Sequence, residues 1–226
     1  MEVIEIVKNL ETLFKNKGFS LYFVGGSVRD YLLYHGFNDV DLVTDATPTD
    51  MKDILPEADF TFEKYGFVKV KHEGMKFDVT TLRVESGYTD MRHPNAIKFT
   101  TDLRRDCKRR DFTVNGLYMD TDLHIYDYVN GVEDLNKKVL KMIGNPLIRM
   151  IEDPLRIIRA LRFSLTYKFQ LDNTIVDAIK ECYPLLDSLN KEKITQDIKK
   201  IKNSSEEEIR ELFTYFNIQK YLDVIK

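Results

Sequence analysis

Three aspartates and a pair of glycines hold the pattern in this sequence most suited to chemistry. Asp39 and Asp41 lie two apart in Asp39-Val40-Asp41. On a β-strand alternate side chains share a face, so a strand here aims both carboxylates one way and sends Val40 and Leu42 to the core. Aligned carboxylates suit a hard cation such as Mg²⁺, which keeps its other positions for water and phosphate oxygens. Alone, the same pair also fits a solvated turn. Asp78 adds a third acid between Phe77 and Val79, on a strand that would neighbour the first, and an acid so placed needs a partner. Three such acids would hold two metal ions for in-line phosphoryl transfer.

Gly25-Gly26-Ser27-Val28-Arg29-Asp30 follows the apolar run Leu21 to Val24. Glycines at a strand end let the backbone approach a triphosphate, and the N–H groups of a helix start favour anions. Arg29 would then meet phosphate oxygens; a tight turn followed by a surface arginine is the plainer reading. The stretch 104–110, Arg-Arg-Asp-Cys-Lys-Arg-Arg, reads either as a solvated basic face or as a ligand-facing one. Asp153-Pro154 fits an ordinary helix cap with proline in the first turn. Yet Asp153, Arg156, Arg159 and Arg162 recur at spacing three, which draws a slowly drifting charged ridge along one side of a helix.

These strings occur in a telling order. LYFVGGSVRDYLL at 21–33, DVDLVTDATP at 39–48, RRDFTVNG at 109–116 and EDPLRIIRALRF at 152–163 resemble the class II tRNA nucleotidyltransferases, the bacterial CCA-adding enzymes and their poly(A) polymerase relatives. The resemblance runs from about Leu21 to about Lys200. It implies a polymerase-β-like nucleotidyltransferase head followed by a helical neck, and the template-independent addition of C, C and A to the tRNA 3′ end from CTP and ATP. By position, Asp39 and Asp41 would bind Mg²⁺ and Asp78 would be the third catalytic carboxylate. Gly26, Arg29 and Arg110 would contact the triphosphate, and Asp111 with Asn115 would serve the ribose side. Arg104, Arg105 and Lys108 are left as candidates for RNA-backbone contact.

The resemblance also makes Asp153 and Arg156 an amino-acid template for the incoming base. A carboxylate accepts from the amino group of C or A, and a guanidinium donates to ring nitrogen and carbonyl. Uracil and guanine present the wrong order and leave groups unpaired. Arg159 and Arg162 would extend the clamp towards the phosphates. Arg83 to Pro94 matches the family's flexible loop, whose presence favours an enzyme able to add A; a lone His93 before proline there has no assigned role. Gly116 stands where the family usually has alanine. In Asn190 to Asp197, Lys193 and Asp197 stand for an arginine and a glutamate of the last neck motif.

Positioning these groups requires a mixed sheet with helices, then helices: an α+β fold. Val3, Ile6, Val7, Leu10, Leu13 and Phe14 follow helical spacing up to Lys17-Gly18. Strands are expected at Leu21 to Val24, Val40 to Val43, Ile97 to Phe99 and Ile125 to Val129, with a helix capped at Thr47-Pro48 and a hairpin joining Phe67 to Lys71 with Lys76 to Leu82. From Pro146 onward the strand pattern stops, and helices are expected at Glu152 to Phe163, Thr174 to Glu181 and Glu206 to Phe216. The expected division is a head over 1–139 and an all-helical neck over 140–226, with the family's body and tail domains absent.

Composition excludes several classes. With 226 residues, 43% hydrophobic and 31% charged, the chain is an ordinary globular one. Two cysteines exclude a disulfide scaffold. No apolar run approaches the roughly 18 residues of a membrane span, and Glu2 and Glu5 do not suit a secretory leader, so the expected setting is cytoplasmic. The net charge of −3 hides an acidic front and a basic stretch over 141–202. The competing functions are a poly(A) polymerase or A-adding partial enzyme, a non-catalytic RNA-binding remnant, and a small-molecule nucleotidyltransferase.

Overall fold

The structure, a computed structural model, describes residues 2–34, 36–37, 39–88 and 94–224. Contacts divide the chain into two compact units. The first holds Met1–Ser86, Ala96–Arg110 and Val114–Val132, and the second Gly87–Asn95, Asp111–Thr113 and Glu133–Lys226. The sequence places one cut at 139; the contacts cut at 132/133 and lend two short upstream segments to the second unit.

In the first unit, α1 (Glu2–Lys15) buries Val7, Leu10 and Phe14, as its apolar spacing requires. A six-stranded mixed sheet follows: β1 (Leu21–Val24), β2 (Asp41–Thr44), β3 (Phe67–His72), β4 (Met75–Thr81), β7 (Leu117–Met119) and β8 (Ile125–Asp127), in the order β3-β4-β2-β1-β7-β8. Two helices lie between these strands in sequence, α2 (Gly26–Tyr34) after β1 and α3 (Pro48–Ile54) after β2. Thr47 caps α3 through a reciprocal capping box with Asp50, which fixes where the chain leaves β2. The β3–β4 hairpin turns on Glu73 and Gly74, both at positive φ, the two-residue turn that matches strand twist. β2 and β4 run parallel, with Asp41 paired to Asp78 and Leu42 to Val79. Leu42, Phe77 and Val79 are buried while the aspartates beside them are exposed. A separate ribbon pairs β5 (Arg83–Ser86) with β6 (Ala96–Phe99), and the helix α4 (Leu103–Cys107) is capped by Asp102.

Four strands depart from the sequence expectation. β7 sits beside β1 in the sheet, but Leu117-Tyr118-Met119 is buried at every position and shows no alternation. The first four residues of the expected loop, Arg83 to Ser86, form β5; Thr89 to His93 lie outside the described residues. A two-residue parallel ladder joins β9 (Val139–Leu140) to β10 (Gln170–Leu171), so one short strand does follow Pro146.

The second unit is otherwise helical, with α5 (Gly131–Lys137) crossing its boundary. Its helices are α6 (Pro146–Glu152), α7 (Leu155–Tyr167), α8 (Asn173–Cys182), α9 (Lys191–Ile198) and α10 (Glu206–Tyr215). The single helix expected over Glu152 to Phe163 is corrected: Glu152 ends α6, Asp153 is extended, and a new helix starts at Leu155. Proline at 154 disfavours the helical conformation for the residue before it, so the break falls at Asp153. Asn145, Asp172, Asn190 and Ser205 cap α6, α8, α9 and α10. Ile157, Ile158, Leu161, Ile175 and Phe213 are fully buried in this unit.

Candidate active site

Three acids gather at the start of β2 and on β4. Asp41 opens β2, and its backbone partner across the parallel ladder is Asp78. Asp39 is not on the strand: it occupies a bend two residues before, where its carbonyl accepts from the Ser27 hydroxyl (3.1 Å) instead of joining the ladder. The Asp41 carboxyl is held above its ordinary value, first because protein atoms crowd it and next because Asp78 repels a second negative charge; Arg110 and Arg29 pull the other way. Asp78 is also raised, by desolvation and by Asp39, against the pull of Lys69. Acids so placed are an oxygen-donor set short of positive charge, which fits a hard divalent cation. Among the described residues no group of three or more acidic, histidine or cysteine side chains is arranged to hold a metal ion. Mg²⁺ does not need one, because it takes one or two carboxylates and completes its shell with water and phosphate.

Glycine suits the turn beside these acids at two successive positions. Gly25 has φ +62, a left-handed conformation that glycine adopts without strain. A Cβ on Gly26 would lie 3.5 Å from Arg29 Nη2 and 4.0 Å from Asp41 Oδ2, so the missing side chain leaves a cradle between a guanidinium and the Asp41 carboxylate. Ser27 is buried, and its hydroxyl both accepts from the Asp41 N–H (2.7 Å) and donates to the Asp39 carbonyl. One side chain thus locks the start of α2 to both ends of Asp39-Val40-Asp41. Arg29 donates to Asp30 through Nε (2.9 Å) and Nη2 (2.7 Å), and to Asn115 Oδ1 through Nη1 (2.6 Å).

Arg110 also reaches this turn. Its Nη1 lies 3.4 Å from where a Cβ on Gly25 would be, and its Nε and Nη2 donate to Asp106 Oδ2 at 3.2 and 3.0 Å. Asp106 is fully buried, and the guanidiniums of Arg110 and Arg109 hold its carboxyl well below the usual range against the opposing effect of burial. Arg104, Arg105 and Lys108 are exposed, as a basic face would have them, and Arg104 lies over the Tyr128 ring.

The remaining candidates belong to the second unit. The Asp111 carbonyl accepts from Ile143 N (2.8 Å), and Asp111 Oδ2 accepts from Arg159 Nη2. Asp111 and Asn115, expected to act together, therefore have separate partners, Arg159 in one unit and Arg29 in the other. Asp153 Oδ1 accepts from Leu155 N (3.1 Å), the first N–H of α7, although the N-cap position itself is Pro154 and carries no side-chain cap bond, and Oδ2 lies 3.9 Å from Arg156 Nε. Arg156 is buried and donates through Nη1 to the Arg149 carbonyl (2.6 Å) and to Glu152 (3.2 Å). Arg162 pairs with Asp197 and stacks on Phe163. Asp197, the residue standing for the family's glutamate, thus has a structural partner in the ridge. His93 lies outside the described residues.

Sequence reasoning missed Ser27 and Asp106. Ser27 was visible only as the third letter of a turn. Asp106 was hidden by four arginines and a lysine in seven residues, where one acid looks like relief of charge rather than its organiser.

Comparisons with known proteins bear on this geometry. A family model described as the poly A polymerase head domain matches residues 21–141. The CCA-adding enzyme of Staphylococcus epidermidis is 38% identical over 200 residues, 88% of this chain and 50% of that protein. The structure of the Bacillus stearothermophilus CCA-adding enzyme in complex with CTP aligns with a TM-score of 0.80 at 34% identity, over 88% of this chain and 48% of the other. A tRNA nucleotidyltransferase complexed with a primer tRNA and an incoming ATP analog aligns with a TM-score of 0.75 at 27% identity, over 95% and 62%. The chain spans about half the length of the curated relatives it matches.

Proposed function

Since the chain belongs to the poly A polymerase head domain family, we propose that it is a template-independent nucleotidyltransferase adding C, C and A to the 3′ end of tRNA from CTP and ATP. The observation that carries this is the pairing of Asp41 with Asp78 across parallel strands, beside a Gly25-Gly26 turn onto which Arg110 is aimed. Neighbouring carboxylates beside a glycine turn and fixed guanidiniums suit phosphoryl transfer, where positioning and charge do most of the work.

In this reading the first unit is the head. Asp39 and Asp41 hold Mg²⁺, and Asp78 is the third catalytic carboxylate. Bound there, Mg²⁺ supplies Lewis-acid stabilisation of the attacking and leaving oxygens. Gly26 admits the triphosphate to the α2 N-terminus, and Arg29 and Arg110 offer donors to its oxygens. Asn115, bonded to Arg29, serves the ribose side with Asp111. The neck follows a head–neck boundary near 139 and makes up most of the second unit. Asp153 and Arg156 read the Watson–Crick edge of C or A; the α6–α7 break and the bonds from Arg156 to Arg149 and Glu152 support a fixed rather than a roaming guanidinium. Arg159 and Arg162 line the same helix.

Among the described residues no helix is long and apolar enough to cross a membrane, and the cytoplasm is the proposed setting. Poly(A) or A-only addition is the second reading, favoured by the family's own description. Purified chain with Mg²⁺, CTP and ATP is expected to extend a tRNA lacking its CCA end by three nucleotides, and Asp41→Ala to abolish this. No incorporation into that tRNA, with either nucleotide, would refute the enzyme reading; extension of an unstructured oligo-RNA by ATP alone would favour the second.

A further inference from the structure

We infer that Asp106 is a positioning residue that sets the Arg110 guanidinium for nucleotide phosphate and ties that setting to the β5–β6 ribbon. The inference rests on the reading above in which Arg110 meets the triphosphate. A carboxylate has about four lone-pair sites, and Asp106 accepts from five donors. Oδ1 takes the Arg83 N–H (2.9 Å) and Arg109 Nε (2.8 Å), and Oδ2 takes Arg110 Nε (3.2 Å), Arg110 Nη2 (3.0 Å) and the Tyr118 hydroxyl (2.8 Å). The Tyr118 oxygen in turn accepts from Arg110 Nε at 3.1 Å, and the guanidinium lies over the Tyr118 ring. One long edge of Arg110 is thereby fixed by two groups, and rotation of that side chain would break three bonds at once. The fixed edge leaves Nη1 against Gly25, at the turn that opens α2.

The other oxygen makes the link a coupling. Arg83 opens β5, and its side chain bonds Glu85 (2.8 Å), which Arg109 Nη1 approaches at 3.5 Å. The first residue of the ribbon therefore hangs on one oxygen of the carboxylate whose other oxygen orients Arg110. A buried ion cluster of this kind is also a stability element, so the test must separate orientation from folding.

The readout is binding of inorganic tripolyphosphate and of CTP to the full 226-residue chain, by calorimetry, with thermal midpoints recorded alongside. Asp106→Asn, which replaces two acceptors with one and turns an amide N–H₂ towards cationic donors, is expected to weaken both ligands about tenfold, the size of one charge-assisted hydrogen bond. The decisive measurement is a cycle with Arg110→Ala. If Asp106 acts through Arg110, Asp106→Asn adds no further loss of affinity in the Arg110→Ala background, although it still lowers the thermal midpoint. Additive losses of affinity, or a folded Asp106→Asn with unchanged affinity, overturn the inference. Should Asp106→Asn not fold, Tyr118→Phe carries the same cycle: it removes one anchor of Arg110 and leaves the other, and about a threefold loss is expected that vanishes without Arg110. Binding that follows this pattern in a chain that transfers nothing would uphold Asp106 and refute the enzyme reading; transfer without the pattern would do the reverse. A chain that binds neither ligand overturns both.

Discussion

Replacing Ser27 by alanine tests the link between the turn and the acids. The Ser27 hydroxyl is buried and makes two backbone bonds, accepting from Asp41 N–H at 2.7 Å and donating to the Asp39 carbonyl at 3.1 Å. Alanine leaves that N–H without its acceptor, at a cost of about 1–3 kcal/mol. For a chain of this size this lowers the thermal midpoint by roughly 2–12 °C. The effect on chemistry should be larger than stability alone explains, because the backbone that is released carries the two proposed Mg²⁺ ligands. A displacement near 1 Å costs up to ~10²-fold in rate. The assay is incorporation of CMP into truncated tRNA across a Mg²⁺ titration, below the midpoint of every variant. Ser27→Ala is expected to lose at least about tenfold in turnover and to require more Mg²⁺. Val28→Ala is the control: Val28 is fully buried on the same helix, and its truncation should destabilise by about 2–3 kcal/mol while leaving the Mg²⁺ requirement intact. Equal Mg²⁺ requirements in the two variants, or an unchanged midpoint in Ser27→Ala, would refute the reasoning.

Gly26→Ala should fold as well as the unmodified chain or slightly better, since its Cβ meets only ordinary contacts and alanine suits a helix, yet lose CTP affinity by calorimetry because the Cβ fills the cradle. Asp41 has a raised carboxyl, so its ionised form opposes folding: the contribution of the protonated form is present below the unfolded value and is lost as pH rises through the folded one. Scanning calorimetry at pH 7 with chelator should therefore show Asp41→Asn unfolding at a higher temperature than the unmodified chain, with the difference closing below about pH 4; added Mg²⁺ should stabilise the unmodified chain only. Asp197→Asn, which leaves Arg162 facing a neutral partner, should lower stability to denaturant by about 1–3 kcal/mol. Arg162→Met combined with Asp197→Leu should recover much of this loss, because the desolvated charges go together.

Elements whose signals are local were legible. Helical spacing in α1, the capping box at Thr47 and Asp50, and the Glu73-Gly74 turn between β3 and β4 each follow from a few consecutive residues. β7 was not legible, because a strand buried on both faces between β1 and β8 carries no alternation. β5 was read as loop, since its pairing partner β6 lies beyond nine intervening residues and three of its own four side chains are polar. The extended helix expected from Glu152 failed at one residue, where proline restricts its neighbour more than periodicity can show.

For the site, the types and spacing of Asp39, Asp41 and Asp78 pointed to a cation because that chemistry belongs to carboxylates themselves, the Gly25-Gly26 turn with Arg29 left phosphate and a plain turn both open, and Arg110 was assigned only by the family resemblance. The tertiary structure decided how these groups meet. The register of two parallel strands put Asp78 across from Asp41, 37 positions away in sequence. The fold chose Ser27 to lock the Asp39–Asp41 backbone and Asp106 to aim Arg110, and gave Asp111 and Asn115 different arginines. A residue type states which bonds a side chain can make. Which of them it does make depends on the groups that packing brings within about 3 Å, and no local pattern carries that information.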